Sequence, residues 1–547
     1  MLRALASASL CMATALAQAN FPAPPTPASN PRTPAKELLG MALFFEEQLS
    51  STGTVACGTC HDFVSGGVDP RAATSANPGA DGVFGTADDQ RGSPGISAIQ
   101  ADGTVVPSVN HGFSPNVTPR RTPTVINSGY HTHLAYDGSK TSLEQLIAVP
   151  PLNTTEMGHV GRTWADVATK IAGARPLAFA SDLPQRLQNF IGTRTYPELF
   201  QIAFGSSQVT QSAIVNAIAC YLRTLNSDQS KFDLFRRGFV QLTALEQQGL
   251  ALFSASANGA TSCRTCHGDF EARVSVEGPV VGQFTTTATG PYGSLFPTRL
   301  MFHNVGIRPP AEDPGRQNVT VLNSDAGKFR VASLRNVELT APYFHNGSVN
   351  TLHDVVEFYN RGGDFHVNQA ANLFPRNYSI VEKDAIVALL RTLTDPRVAA
   401  GVAPFDRPTL GTQSMSQAIP CWESETTQSG QLLAQAPFAP LLGDPWFRLT
   451  LSGATPGVPA FLMLDTGIGP DRLAFNVILS GTPAFTAVYA GQAQALPGVT
   501  RGFAQMAMPL PNLPALSGQV VFAQWLVLEP SQQFPLATSN ALYIPLR

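Results

Sequence analysis

The sequence predicts a mainly α protein: two duplicated helical modules followed by a small all-β, sandwich-like domain. Three observations carry that prediction. The pentapeptide Cys57-Gly-Thr-Cys-His61 recurs as Cys263-Arg-Thr-Cys-His267. Beyond each copy the halves align at a constant offset of 209 residues. At that offset Arg121-Thr-Pro-Thr-Val-Ile-Asn127 falls on Arg330-Val-Ala-Ser-Leu-Arg-Asn336, and Asp137-Gly-Ser-Lys-Thr-Ser-Leu143 on Asn346-Gly-Ser-Val-Asn-Thr-Leu352. From Asp406 onward the apolar runs shorten and are bounded by Gly and Pro, as antiparallel strands are.

Taken in order, residues 1–19 read as an export signal: Arg3 is the basic flank, Ala4 to Leu16 the apolar stretch, and Ala15-Leu16-Ala17 or Ala17-Gln18-Ala19 the cleavage site. Cys11 would be discarded with it, and the mature protein is expected to be periplasmic or secreted. No other run is apolar over 18 or more residues, so no membrane span is expected. The formal charge of −3, or −4 without Arg3, and the 13% of charged residues provide no nucleic-acid footprint. Asn20 to Pro34, rich in Pro and Ala, reads as a flexible leader.

The N-terminal module is expected over 20–235, with helices at Lys36 to Phe45, Leu183 to Phe190, Tyr196 to Phe204, Ala213 to Leu225 and Phe232 to Arg237. It carries an insertion at 66–107, read as a long surface loop because apolar periodicity is missing there. Its Asp81-Gly82 and Asp88-Asp89 read as solvated turns, since they do not follow the EF-hand pattern. The C-terminal module, 236–400, has helices at Ala244 to Phe253, Leu352 to Tyr359 and Val381 to Leu393. The β-domain, 405–547, has runs at Phe447 to Leu451, Ala460 to Leu464, Phe475 to Leu479, Val520 to Leu528 and Ala541 to Leu546. It holds Trp422, Trp446 and Trp525 but no histidine, so no metal chemistry is expected in it and its role is open.

In Cys-x-x-Cys-His the thiols stand one helical turn apart, the spacing that forms thioethers with the two vinyl groups of one haem, and the histidine reaches the iron. Cys57, Cys60 and His61 therefore define one covalent haem c, and Cys263, Cys266 and His267 a second. A zinc site or redox pair is the competing reading, outweighed by two full copies of the motif. Cys220, in an apolar helical run, reads as a buried free thiol, and Cys421 lies in a different domain.

The offset also sets Tyr359 opposite Pro150. A phenol can bind iron and proline cannot. One haem would then be closed by six ligands and suited to moving electrons, the other open to a small oxidant. The plainer reading makes Tyr359 a core aromatic at the end of an amphipathic helix.

From about Ala35 to Asp395 the chain resembles the bacterial di-haem cytochrome c peroxidases, including their MauG-like branch. The resemblance rests on Leu-Phe-Phe before Cys57, Pro123-Thr-Val-Ile-Asn127, Asp137-Gly138, Asn153-Thr-Thr-Glu-Met-Gly158, Asp313-Pro-Gly-Arg316, and Phe329-Arg-Val-Ala-Ser-Leu-Arg-Asn336 with Leu339-Thr-Ala-Pro-Tyr-Phe-His345. It implies His61 as proximal ligand of the peroxide-binding haem, His267 as proximal ligand of the electron-transfer haem, and Glu156 as the distal acid–base carboxylate. At Tyr359 the family's ordinary peroxidases have methionine, whereas the MauG-like branch has tyrosine. Tyr136 replaces the tryptophan between the haems. The family's distal glutamine falls at Leu146, beside Gln145. Arg121 stands where relatives have a calcium-ligating asparagine, with carbonyls matching Thr340 and Pro342, which argues against calcium here. His111 matches a loop histidine that caps the peroxide haem in some relatives; otherwise it is an exposed loop residue.

The expected function is that of an exported di-haem peroxidase of MauG-like type. It would use hydrogen peroxide and either an electron-donor protein, such as a small cytochrome or cupredoxin, or a protein substrate. An ordinary cytochrome c peroxidase and a non-catalytic electron carrier are the alternatives. Tyr359 speaks against the first, and Glu156 with Pro150 against the second.

Overall fold

The computed structural model describes residues 23–79, 81–255, 262–267, 302–371, 373–411, 426–427, 430–440, 444, 446–465, 486–495, 501–510, 512–517, 519–528 and 536–546. The expected export signal, Cys421, Trp422 and the run Phe475 to Leu479 lie outside the described residues. The protein is helix-rich, with a separate sheet region at its C-terminal end. Among the described residues no helix is long and apolar enough to cross a membrane.

The first half contains α1 (Pro34–Phe44), α2 (Cys57–Cys60), α3 (Leu143–Ile147), α4 (Trp164–Gly173), α5 (Gln185–Ile191), α6 (Tyr196–Phe204), α7 (Gln211–Leu222) and α8 (Lys231–Arg236). The second contains α9 (Ala244–Ser254), α10 (Cys263–His267), α11 (Leu352–Asn360) and α12 (Ile380–Arg391). Thr33, Ser142, Thr163, Thr210, Thr243, Thr351 and Ser379 each cap a helix start with a side-chain oxygen. The leader is not free chain from Ala23 on. The Arg223 guanidinium donates to the Pro25 carbonyl, and buried Asn30 donates to Glu144 and to the Asn216 carbonyl.

The same contacts recur in both halves. In the first, α1 crosses α7 so closely that a Cβ on Gly40 would lie 2.0 Å from the Ala217 carbonyl oxygen. In the second, α9 crosses α12 with Gly249 in the same relation to Ala385, also 2.0 Å. Glycine is what lets these helices touch backbone to backbone. Asn127 and Asn336, with φ of 61° and 58°, each open a 3₁₀ turn and donate their N–H to a carbonyl just beyond α7 and α12 respectively, Leu225 and Leu393. Leu134 bridges Lys140 just as Tyr343 bridges Val349.

Ion pairs and hydrogen bonds run between the halves. Arg120 holds Asp313 through two bonds of 2.7 Å and Asp137 through one of 3.0 Å, while Arg316 donates to the Asp137 and Gly138 carbonyls. Fully buried Arg335 and Asp233 form a second link at 2.8 Å.

After α12 a helical turn, α13 (Pro396–Ala399), leads the chain back across the first half, where Phe405 packs edge-on against Phe63 and Arg407 pairs with Asp62. The sheet region follows. One antiparallel sheet has the spatial order β1 (Leu433–Gln435), β2 (Arg448–Ala454), β6 (Gly502–Ala507), β5 (Gln494–Ala495). The other has β8 (Leu536–Pro545), β7 (Val520–Leu528), β3 (Pro459–Asp465), β4 (Thr486–Gln492). Leu449, Leu451, Leu462, Trp525 and Val527 fill a shared core, and Asn540 of β8 exchanges two hydrogen bonds with the backbone of Ala434 in β1.

The reading of 66–107 as a surface loop needs correction. Asp81 to Gly85 are exposed, but Ser93, Ile96, Ser97, Ile99 and Val105 are buried. Among the described residues the stretch pairs through isolated bridges, such as Asn77 with Gln90, Pro94 with Val117 and Ile99 with Val105, and therefore carries no strand periodicity.

Candidate active site: two Cys-x-x-Cys-His turns

Each Cys-x-x-Cys-His forms a single helical turn, α2 with His61 as its C-cap and α10, which brings its two thiols and its imidazole close together. Gly58 lets the turn lie against the Phe45 ring, since a Cβ there would lie 2.4 Å from that ring and force it to shift. The His61 ring faces Phe44 at 6.3 Å and the His267 ring faces Phe253 at 6.4 Å, so the same kind of contact recurs in both halves.

His61 Nδ1 lies 3.1 Å from the Gly67 carbonyl oxygen, and the Pro123 carbonyl also faces it. The equivalent carbonyl, Ala332, faces His267. A carbonyl at Nδ1 fixes the tautomer that leaves the Nε2 lone pair for a metal. Burial lowers both pKa values, that of His267 to about 4, so each imidazole is neutral at pH 7. Burial pushes the Cys57 and Cys60 thiols up to about 12, opposite to the depressed values of redox-active pairs. Neutral imidazole and buried thiols on one turn fit covalently held haem. Among the described residues no group of three or more His, Cys, Asp or Glu side chains forms another metal site.

Two arginines join the thiols from afar. Arg71 is held by Asp69 at 2.7 Å and donates to Cys60 Sγ at 3.3 Å. The Arg376 guanidinium lowers the thiol pKa values of Cys263 and Cys266 against the larger effect of burial. Neither is legible in the sequence, since each is separated from its cysteine by a fold and not by a spacing.

Glu156 stands in a tight turn whose Asn153 carbonyl accepts from the N–H groups of Glu156, Met157 and Gly158. Asn153 Nδ2 donates to its Oε1 at 3.0 Å. Desolvation raises the carboxyl to about 7, and its charge is felt by both Cys57 and Cys60. Gln145 is directed elsewhere: it is exposed, and its Oε1 accepts from Thr141.

At the second turn, burial raises the Tyr359 pKa first, and the charges of Cys266 and Cys263 raise it further, so the phenol is within electrostatic range of that pair. Phe358 and Phe344 flank its ring at 5.2 and 6.1 Å. In the first half α3 ends at Ile147 and Pro150 begins a 3₁₀ turn, so no helix continues to present such a group.

Tyr136 lies where the halves meet. Its carbonyl accepts from Arg330 N–H at 2.7 Å, and its ring is 6.4 Å from His345. The Arg121 guanidinium donates to the Pro342 carbonyl. His111 packs on Phe84 at 5.7 Å, and its pKa is lowered by burial and by Arg501.

A family model for di-haem cytochrome c peroxidases matches residues 34–241. The cytochrome-c peroxidase IdrP1 of Denitromonas iodatirespirans is 30% identical over 413 residues, 72% of this chain and 93% of that protein. The methylamine utilization protein MauG of Methylophilus methylotrophus is 27% identical over 375 residues, 68% of this chain and 85% of that one. The crystal structure of a MauG-like protein associated with microbial copper homeostasis matches with a TM-score of 0.51 at 25% identity, covering 71% of this chain and 97% of that chain. This chain belongs to the di-haem cytochrome c peroxidase family. It is accordingly a peroxidase whose cofactors are haem c.

Proposed function

We propose that the protein is an exported di-haem peroxidase of MauG-like type, with covalent haem c on Cys57 and Cys60 under His61 and on Cys263 and Cys266 under His267. The observation that carries this reading is the asymmetry between the halves: α11 carries Tyr359 into electrostatic range of Cys263 and Cys266, whereas α3 stops at Ile147, Pro150 opens a 3₁₀ turn, and Glu156, held by Asn153, lies in electrostatic range of Cys57 and Cys60. The repeated helix crossings support two haem domains that arose by duplication, with boundaries near 20–235 and 236–400 and the β-domain from 405.

Haem at these residues supplies the redox-active iron at which peroxide is reduced. Glu156 takes a proton from one peroxide oxygen and delivers it to the other, so the O–O bond breaks with water as the leaving group; two electrons and two protons in all convert one peroxide to two waters. The desolvated carboxyl suits both directions of transfer near pH 7. Tyr359 would hold the iron of the second haem, and as a phenolate, once its proton is displaced by the metal, would favour the ferric and higher states there. Tyr136, at the junction of the halves, relays oxidising equivalents. Electrons come from a small cytochrome, a cupredoxin or an oxidisable protein substrate. Arg121 on the Pro342 carbonyl takes over the role of a calcium between the halves.

The test is to add one equivalent of hydrogen peroxide to the fully oxidised protein and follow both haem spectra. A lasting two-equivalent oxidised species that involves both haems is expected. A change confined to one haem, decaying at once, would remove the MauG-like reading.

A further inference from the structure

The stretch 93–114, whose first part belongs to the insertion at 66–107, is clasped between the Glu156 turn and the sheet region. Two glycines mark the clasp. Gly103, at φ +81°, has the Trp446 ring where its Cβ would be, 2.5 Å away, and Gly112, at φ +60°, has the Phe503 ring 2.9 Å from the same point. Both positions favour glycine for their backbone and exclude any larger residue by their neighbour. Gln505 pairs with Val105 as a strand would, its Nε2 donating to the carbonyl at 3.0 Å and its Oε1 accepting from the N–H at 3.3 Å. Arg501 donates to the Val109 and Asn110 carbonyls.

The other edge of the stretch bears on the carboxylate. A Cβ on Gly95 would lie 1.9 Å from the Thr155 carbonyl oxygen and 2.8 Å from the Glu156 Cα, so the two backbones are in direct contact. Val160 N–H donates to the Ile99 carbonyl at 3.0 Å. Trp446 reaches the same turn by a second route, its ring standing perpendicular to that of His159 at 5.3 Å. His159 is anchored in turn by the Ser51 hydroxyl at 2.9 Å.

We infer that the C-terminal sheet region is a working part of the peroxide site, and that Trp446 and Gln505 are positioning residues that hold the Glu156 turn through the 93–114 stretch. This rests on the reading of Glu156 as the acid–base group. A carboxylate that serves two oxygens in succession tolerates little displacement, and misplacement by about 1 Å lowers such rates by about 10²-fold.

The full-length holoenzyme tests this with Trp446→Ala, Gln505→Ala and Trp446→Phe. Amide hydrogen exchange is measured over 95–114 and 153–160, and the peroxide reaction is followed by stopped flow with and without Glu156→Gln. Both alanine variants should exchange at least about ten-fold faster in the two segments and react about 10- to 100-fold more slowly. Trp446→Phe should restore both, and Trp446→Ala should add nothing once Glu156→Gln is present. If Trp446→Ala does not accumulate folded, Gln505→Ala carries the same comparison, since it removes two hydrogen bonds and leaves the packing. Unchanged exchange in both segments, or an equal loss of rate in the Glu156→Gln background, would overturn the inference. A Glu156→Gln enzyme of undiminished rate would instead overturn the assigned role of Glu156 and the positioning claim with it, while the exchange data would still report the clasp.

Discussion

Glu156→Gln isolates proton transfer, because glutamine keeps the shape of the side chain and its acceptor for Asn153 while losing the acid. Desolvation raises the carboxyl from an ordinary 4.5 to about 7. As proton acceptor it works ionised, so it is about half active at pH 7 and about one-tenth active at pH 6. The rate of reaction with peroxide should therefore rise through pH 7 and level above about pH 8. Glutamine should lower that plateau by about 10²–10⁴ and abolish the pH limb. Stability runs the other way. A carboxyl with its folded pKa raised brings no penalty below about pH 4.5, and an increasing one as pH climbs to about 7, at most about 3 kcal/mol and less after solvent screening of a part-exposed group. Above pH 7 the variant should be at least as stable as the parent in denaturant titration. Stopped-flow rates from pH 5.5 to about 8.5 provide the assay. A variant within two-fold of the parent that retains the pH limb would refute the role.

Low-temperature EPR of the resting ferric enzyme should show one high-spin and one low-spin haem, since Pro150 offers no ligand where Tyr359 does; two low-spin signals at neutral pH would contradict this. Gly249→Ala should destabilise the second half by about 1–3 kcal/mol, the overpacking at the Ala385 carbonyl outweighing the helix propensity gained. Thermal unfolding followed separately at the two haem bands would reveal it, and an unchanged midpoint would mean that α9 and α12 can move apart at no expense.

Much of this was legible because the decisive chemistry is contiguous or periodic. The two Cys-x-x-Cys-His turns need adjacent residues, and α1, α6, α7, α9 and α12 announce themselves by apolar spacing and Ser or Thr caps, all within three residues of their expected ends. The pairing of Tyr359 with Pro150 is accessible because the 209-residue offset lets one half be read against the other. The helix at Trp164–Gly173 went unassigned although Thr163 and Asp166 form a capping box and Val167 and Ile171 share its buried face. Arg71 and Arg376 could not be read at all, since their relation to the thiols exists only after folding. The insertion at 66–107 reads as surface for a physical reason: its buried residues from Ser93 to Val105 lie in irregular chain joined by isolated bridges, so neither helical nor strand periodicity marks them.

The central claim is that the two haems differ because Tyr359 closes the second. Redox titration of Tyr359→Met, monitored at both haem bands, tests it most directly. Thioether in place of phenolate should raise the potential of the second haem by on the order of 10² mV, inside the roughly 0.8 V spanned by axial-ligand choice, and should leave the first haem where it was. The lasting peroxide-oxidised species should disappear with it. If Tyr359 is packing alone, the potential stays put, the oxidised species survives, and stability falls by no more than about 1.5 kcal/mol.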